Sequence, residues 1–212
     1  MGLADDLIAS ITEDARVEDV CVGAFFTLVK SKASGLASTF AEPHPFHRTA
    51  RDAGTYRGRP VGELMSLLRS DSPVEASIGM AAVNSMLTPD PSLLTGENAL
   101  DLLLRRGSGR KVAIVGHFPW IASLRQEAGE LWVIEQDPRQ GDLPPDAADQ
   151  VIPRADVVGI TGTSVMNHTI DRLLALASKA FVVLIGPSSP LSPVLFDYGV
   201  DAIAGSLVVD HD

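Results

Sequence analysis

Polar residues that could bind a ligand follow directly after two apolar, strand-like segments in the second half of the chain. Lys111–Val115 runs into a Gly-His-Phe-Pro turn, and Leu131–Glu135 ends in an acid. In nucleotide-binding α/β sheets an acid at the end of the second strand holds ribose hydroxyls, whereas the structural alternative is a solvated carboxylate. The candidate ligand residues of these two segments are Gly116, His117, Phe118, Pro119 and Glu135.

Two later strand-end segments are rich in hydroxyl groups. Asn167 follows the first of them and is a good cap for a helix predicted from His168, so capping and ligand binding both remain open for it. The serines of the second suit oxygen ligands or anion contacts, although ordinary turn chemistry explains them equally well. The candidates from these segments are Thr161, Gly162, Thr163, Asn167, Gly186, Pro187, Ser188 and Ser189.

The charge of these four segments indicates which ligand they would suit. The turn after Val115 is not GxGxxG, because Pro119 removes a backbone donor and the neighbouring aromatic rings obstruct close approach to a pyrophosphate. Arg139 is the single basic residue of the four segments. Since polyphosphate sites need cations to balance their charge, the segments favour a neutral or cationic ligand, such as a divalent transition metal or S-adenosylmethionine.

Histidines offer a weaker indication of a metal site. The chain has neither HExxH nor CxxC, and its single cysteine excludes a thiolate cage within one chain. His117, Glu135 and His168 form the predicted metal set, because all three belong to strand-end segments that should converge. His44 and His47 have a spacing that could also ligate a metal. No serine lies in a GxSxG elbow, so catalytic residues, and whether the chain is an enzyme at all, remain undetermined.

Hydrophobic periodicity predicts a small α+β domain at residues 1–88. It comprises a first helix from Leu3 to Ile11, a long strand Val17–Lys30, and a partner strand Gly35–Phe40. A helix pair follows, and in the second helix Ser72 and Glu75 form a capping box. The prolines at 89 and 91 place the domain boundary after residue 88.

The remaining residues, 89–212, alternate between apolar strands and helices. This alternation predicts a Rossmann-like, mostly parallel sheet with helices on both faces, so the fold class is α/β. The five predicted strands are Lys111–Val115, Leu131–Glu135, Asp156–Thr161, Phe181–Ile185 and Ala202–Val209. The predicted helices are Gly96–Arg106, Trp120–Ala128, His168–Ser178 and, approximately, Pro193–Tyr198.

Composition excludes several classes of partner. The formal net charge is −10, which argues against binding to nucleic acid. The sequence contains no run of about 18 apolar residues, the length that would predict a membrane span. The N-terminal MGLADDLIAS has no basic region of the kind that opens a signal peptide, so we expect a cytoplasmic protein.

Several long motifs, in this order, are similar to those of a prokaryotic family labelled "putative heavy-metal chelation". They are VGAFFTLVKS, GLASTF, GRPVGELMSLLRSDSPVEASIGMAAVNSML, GRKVAIVGHFPW, ADVVGITGTSVMNHTIDRLL and GPSSPLSPVLFDYGVDAIAGSLVVD. The resemblance implies a domain like the enolase N-terminal domain, a Rossmann-like domain, and a ligand cleft between them. It places the thirteen candidate ligand residues of the four strand-end segments in that cleft and implies that Gly35–Ala37 supplies the opposite wall.

Three functions remain open from the sequence. The first is a binding module for a metal ion or a small metal complex. The second is an enzyme that uses an adenosine-containing ligand, with Glu135 on the ribose. The third is a non-catalytic interaction subunit, and a homo-oligomer is expected. Fold alone does not decide among them.

Overall fold

The computed structural model describes residues 2–40 and 50–209. In this part of the chain a three-stranded antiparallel sheet precedes a five-stranded parallel sheet. The elements of the first half are α1 (Leu3–Ser10), β1 (Asp19–Val22), β2 (Phe26–Lys30), β3 (Ser34–Ser38), α2 (Val61–Met65), which continues as a 3-10 turn (Ser66–Arg69), and α3 (Pro73–Met86).

The predicted strand Val17–Lys30 is wrong as a single element, because it is a hairpin of β1 and β2. The chain reverses after Val22, where the Gly23 N–H donates to the Phe26 carbonyl over 2.9 Å. The reversal pairs Val20 with Val29, and Val29 is fully buried. A continuous apolar run therefore concealed a tight turn, since apolarity alone does not distinguish a long strand from two short ones.

The capping box predicted at the start of α3 is also wrong. Ser72 makes no side-chain cap, and Glu75 turns inward, where its carboxylate is 5% exposed. Glu75 accepts hydrogen bonds from the Arg51 backbone and guanidinium and from the Ser70 hydroxyl. The Arg51 hydrogen bonds, helped by Ser70, outweigh the effect of burial and lower the pKa of Glu75 to about 2.

The second half contains the parallel sheet and its helices. Its elements are α4 (Ala99–Gly107), β4 (Lys111–Val115), α5 (Ile121–Glu127), β5 (Glu130–Ile134), α6 (Ala148–Val151), β6 (Val157–Thr161), α7 (Thr163–Met166), α8 (Ile170–Leu176), β7 (Phe181–Ile185), α9 (Val194–Asp197) and β8 (Ala202–Ala204), with short 3-10 turns at Pro91–Leu93, Pro145–Ala147 and Ile152–Arg154. The strand order is β5-β4-β6-β7-β8. Strand β5 lies on one side of β4 and the later strands lie on the other, so the strand order reverses between β4 and β6. Ligands bind outside the carboxyl ends of strands at such a switch point.

Helices cover both faces of the parallel sheet, because its strands present apolar side chains to both faces. Val112 and Ile114 of β4 pack with Leu103 and Leu124 of α4 and α5. Ala113, between them, belongs to the cluster on the opposite face, which also contains α3, α6, α8 and α9 residues. The predicted architecture, a small α+β part and a Rossmann-like parallel sheet, is confirmed.

Some predicted boundaries in the second half need correction. The last strand ends at Ala204 rather than Val209, and the helix predicted from His168 begins at Ile170. His168 itself has φ = 60°, in the left-handed region, which interrupts the helix between α7 and α8. No helix of the described residues is long and apolar enough to cross a membrane.

Helix α1 contacts both halves of the chain. Its Asp5 carboxylate pairs with Arg69 over 2.6 Å, on the first half. On the second half, the Leu3 N–H donates to Asp171 over 3.0 Å, and the Tyr198 hydroxyl donates to Asp6. The domain division at residues 88/89 stays a prediction, since buried residues of both halves belong to one apolar cluster.

Candidate functional site

A cavity of about 300 Å³ opens at the carboxyl ends of β4, β5 and β6, at the switch point of the sheet. Strand ends, the loops that follow them and helix α8 form its wall. Its lining residues are Phe40, Val115, Gly116, His117, Phe118, Ile134, Glu135, Gln136, Pro145, Ala148, Thr161, Thr163, Ser164, Asn167, Thr169, Arg172 and Leu173.

The structure brings about half of the predicted ligand residues to this cavity. Those that line it are Gly116, His117, Phe118, Glu135, Thr161, Thr163 and Asn167. Those that do not line it are Pro119, Gly162, Gly186, Pro187, Ser188 and Ser189. Pro119 instead lines a neighbouring open groove, which shares His117 and Phe118 with the cavity.

In the turn after β4, the backbone amide of His117 is taken up by a carboxylate. Gly116 adopts φ = 107°, a conformation that favours glycine, and this turns the next residue toward β5. The His117 N–H then donates to Glu135 Oε2 over 2.7 Å. The other oxygen, Oε1, accepts from the Gln136 N–H. The His117 N–H, which could have bound a phosphate oxygen, is therefore already bonded to a negatively charged carboxylate. A negative charge at this place favours a neutral or cationic ligand over an anion.

His117 is held through its ring as well as its backbone. Its Nδ1 lies 2.8 Å from Asp142 Oδ2. The Asp142 side chain is 2% exposed and that of His117 is 22% exposed. Glu135 therefore holds the backbone of His117 and Asp142 holds its ring, and both acids come from the segment that follows β5.

The segment after β6 forms a network of its own. The Thr161 and Thr163 hydroxyls lie 3.0 Å apart, and Ser164 donates to the Thr161 carbonyl. Asn167 Oδ1 accepts from the Thr169 N–H and hydroxyl, over 3.2 and 2.7 Å. Asn167 thus orders the turn before α8 and lines the cavity. The predicted helix cap is wrong, because the N-cap of α8 is Thr169, which makes no side-chain cap.

The predicted metal set does not come together. His168 is exposed, and its Nε2 lies 3.4 Å from the Ser70 carbonyl, away from the cavity that His117 and Glu135 line. Its left-handed backbone directs the side chain toward the first half of the chain. Across residues 2–40 and 50–209, no group of three or more His, Cys, Asp or Glu could hold a metal ion. His44 and His47 lie outside the described residues.

The loop after β7 packs against the first half of the chain and does not line the cavity. Ser188 and Ser189 are 1% and 2% exposed. Ser188 Oγ accepts from the Ser38 N–H of β3 over 2.9 Å. Gly162 permits this close packing, since a Cβ there would lie 2.5 Å from the Ser189 backbone nitrogen. Strand β3, expected as the far wall of the cleft, meets this loop, and Phe40 beyond it lines the cavity instead.

Sequence reasoning missed cavity residues on helix α8 and at the end of β3. Arg172 lines the cavity and pairs with Asp149. A positively charged side chain therefore lies at the cavity itself, whereas the sequence had indicated Arg139 as the one basic residue near the site. Arg172 and Leu173 lie three and four positions after Thr169, the spacing that places residues on one helix face. That periodicity was available as a signal, whereas nothing in the pattern around Phe40 pointed to the cavity.

The fold is that of an α/β protein with a cavity at the switch point of its parallel sheet. The chain belongs to the DUF364 family, described as "Putative heavy-metal chelation", whose model matches residues 98–212. A second model with the same description, DUF4213, matches residues 4–87. The family resemblance noted from the sequence is confirmed.

Proteins from three organisms are similar to this chain over most of its length. The uncharacterised protein MJ0500 of Methanocaldococcus jannaschii is 28% identical over 220 residues, which span 98% of this chain and 84% of the relative. A crystal structure of a DUF364 protein of unknown function from Desulfitobacterium hafniense aligns with a TM-score of 0.78 at 31% identity, covering 93% of this chain and 83% of that one. A Pyrococcus horikoshii protein of the same family, at 20% identity, aligns with a TM-score of 0.74 over 90% of this chain and 80% of its own.

Proposed function

We propose that this chain binds a small metal complex, a metal ion already held by an organic chelator, in the cavity at the switch point. One observation carries the proposal: the cavity offers one imidazole and one carboxylate, from His117 and Glu135, within a space of about 300 Å³. Two such donors are too few for a tight site for a bare ion, which takes four or more ligands. They suffice to complete the coordination of a metal that a chelator already holds.

Size and charge support the same ligand class. A cavity of about 300 Å³ is at the lower end of the range for small-molecule sites, which is roughly 300 to 1,000 Å³. The ionisable residues of the described lining are His117, Glu135 and Arg172, and Arg172 already has an acidic partner in Asp149. A neutral or positively charged complex meets an uncompensated carboxylate there. The family description is in agreement with such cargo.

Copper(II) diethylenetriamine is a suitable probe, because it is a dication whose amines leave one in-plane position for an imidazole. We expect calorimetry to detect one site, and His117→Gln to weaken binding at least tenfold. His168→Gln is the matched control, since His168 is exposed and lies outside the cavity. Equal binding by both variants, or no binding by the wild type, would contradict the proposal.

An adenosine-containing ligand is the second candidate, and Glu135 is the observation that favours it. Glu135 lines the cavity directly after the second strand of the parallel sheet, the position from which an acid holds ribose hydroxyls. A thermal-shift comparison of adenosine and S-adenosylmethionine tests this candidate. Stabilisation by either compound that Glu135→Ala removes would favour it over the metal complex. The expected homo-oligomer and cytoplasmic location stay predictions.

A further inference from the structure

Asp142 was not among the predicted ligand residues, yet the structure holds it firmly against one of them. Its Oδ2 accepts from the Arg139 N–H over 3.1 Å and lies 2.8 Å from His117 Nδ1. The backbone beside it is anchored to β5, because the Leu143 N–H donates to the Val133 carbonyl and the Leu143 carbonyl accepts from the Glu135 N–H. Asp142 therefore has little freedom to leave the imidazole.

The chemistry of this pair determines which ring nitrogen is free. An ionised carboxylate only accepts hydrogen bonds, so Nδ1 must carry the proton. In the neutral imidazole, Nε2 then carries the lone pair. No described residue bonds to Nε2, and His117 lines the cavity. Carboxylates that hold the second nitrogen of a metal-binding histidine in this way fix its tautomer and orient its ring.

We propose that Asp142 is a positioning residue that holds His117 in the Nδ1–H tautomer and so reserves Nε2 for the ligand. Glu135 complements it, because it holds the backbone N–H of the same histidine. The identity of the ligand rests on the proposed function, whereas the tautomer depends on the two side chains alone. The two claims can therefore fail separately.

The tautomer is read from the ring ¹⁵N shifts of His117, assigned with His117→Gln, at about pH 8.5, where histidine is ordinarily neutral. We expect Nδ1–H in the wild type. Asp142→Asn should retain it, since an amide oxygen at the same place accepts both hydrogen bonds. Asp142→Leu removes the acceptor and should shift His117 toward the Nε2–H form that predominates in free histidine. Asp137→Leu, at an exposed acid of the same segment, should leave the tautomer unchanged.

Binding of copper(II) diethylenetriamine provides the second measurement. Asp142→Leu should weaken it about 10- to 100-fold, with Asp142→Asn in between and Asp137→Leu close to wild type. A wild-type protein in the Nε2–H form would overturn the positioning role, even if Asp142→Leu does not fold. So would a folded Asp142→Leu protein with the wild-type tautomer. If the wild type does not bind the probe but the tautomer shifts as expected, the proposed function fails and the positioning role stands.

Discussion

The loops after β4 and β5 and the loop after β7 all follow strands of the parallel sheet, but they have different roles. In the first pair, hereafter the cavity loops, Glu135 and Asp142 order a histidine beside an open space. In the second, the docked loop (residues 186–193), two serines are buried against β3 and Gly162. The comparison teaches that strand ends define one edge of the sheet, while contacts with the first half of the chain decide which part of that edge stays open.

The largest expected effect is on the docked loop. Gly162→Ala would place a Cβ 2.5 Å from the Ser189 backbone nitrogen, which cannot move aside as a side chain can. We expect the free energy of unfolding to fall by about 3 kcal/mol, measured by urea denaturation. Gly62→Ala is the matched control, because nothing lies within 4 Å of its Cβ and it is inside α2. Equal stability of the two variants would show that the loop is not packed as described.

Acid should destabilise the protein through Glu75, in the first half of the chain. The pKa of Glu75 is lowered from 4.5 to about 2, chiefly by hydrogen bonds from Arg51. A carboxyl with a lowered folded-state pKa stabilises the fold above the unfolded value, and this contribution is lost as the pH falls from 4.5 toward 2. We expect a loss of roughly 2 to 3 kcal/mol over that range in the wild type. It should be largely absent in Glu75→Gln and retained in Glu63→Gln, at an exposed acid paired with Arg59.

The two buried serines of the docked loop should differ in how much they contribute to the free energy of unfolding. Ser188→Ala leaves the Ser38 N–H without its acceptor and should cost about 1 to 2 kcal/mol in unfolding free energy. Ser189 Oγ has no partner within the described structure, so Ser189→Ala should cost much less. Neither change should alter the affinity for copper(II) diethylenetriamine. A loss of affinity in Ser188→Ala would show that the docked loop belongs to the binding site.

The smallest effect on stability is expected in the cavity loops. Glu135→Gln keeps one acceptor for the two backbone N–H groups and should reduce the unfolding free energy by less than about 1 kcal/mol. Affinity for the dicationic probe should nevertheless fall about tenfold, because the negative charge is lost. Glu130→Gln, at the exposed start of β5, should change neither quantity. If Glu135→Gln binds as the wild type does, Glu135 has a structural role only.

Much of the fold was predictable because each strand of the parallel sheet is a short apolar run between turn residues. Lys111–Val115 and Phe181–Ile185 match their predicted bounds. The hairpin turn at Gly23 was missed because apolar residues continue through it, and the inward turn of Glu75 because its partner Arg51 is 24 positions away. Local patterns contain no information on such distant partners.

The site was predictable to the level of the sheet edge and no further. His117 and Glu135 could be placed together because parallel strands end on one side. The exclusion of Ser188 and His168 from the cavity follows from contacts with Ser38 and Ser70, which belong to the first half of the chain. Such contacts between halves are set by tertiary packing, which no periodicity reveals.

Helix α1 has a consequence for any attempt to study the two halves apart. It precedes the first sheet in sequence, yet Asp6 and Leu3 are held by Tyr198 and Asp171 of the second half. A fragment that begins after residue 88 would lose this helix and leave bare the surface of α9 that it contacts. It would also remove Leu3 and Leu7, both fully buried in the whole chain, from the apolar cluster that the two halves share. Such a fragment should aggregate alone and regain solubility when the amino-terminal fragment is produced with it, as two chains that reassemble through helix α1 and the contact of β3 with the docked loop.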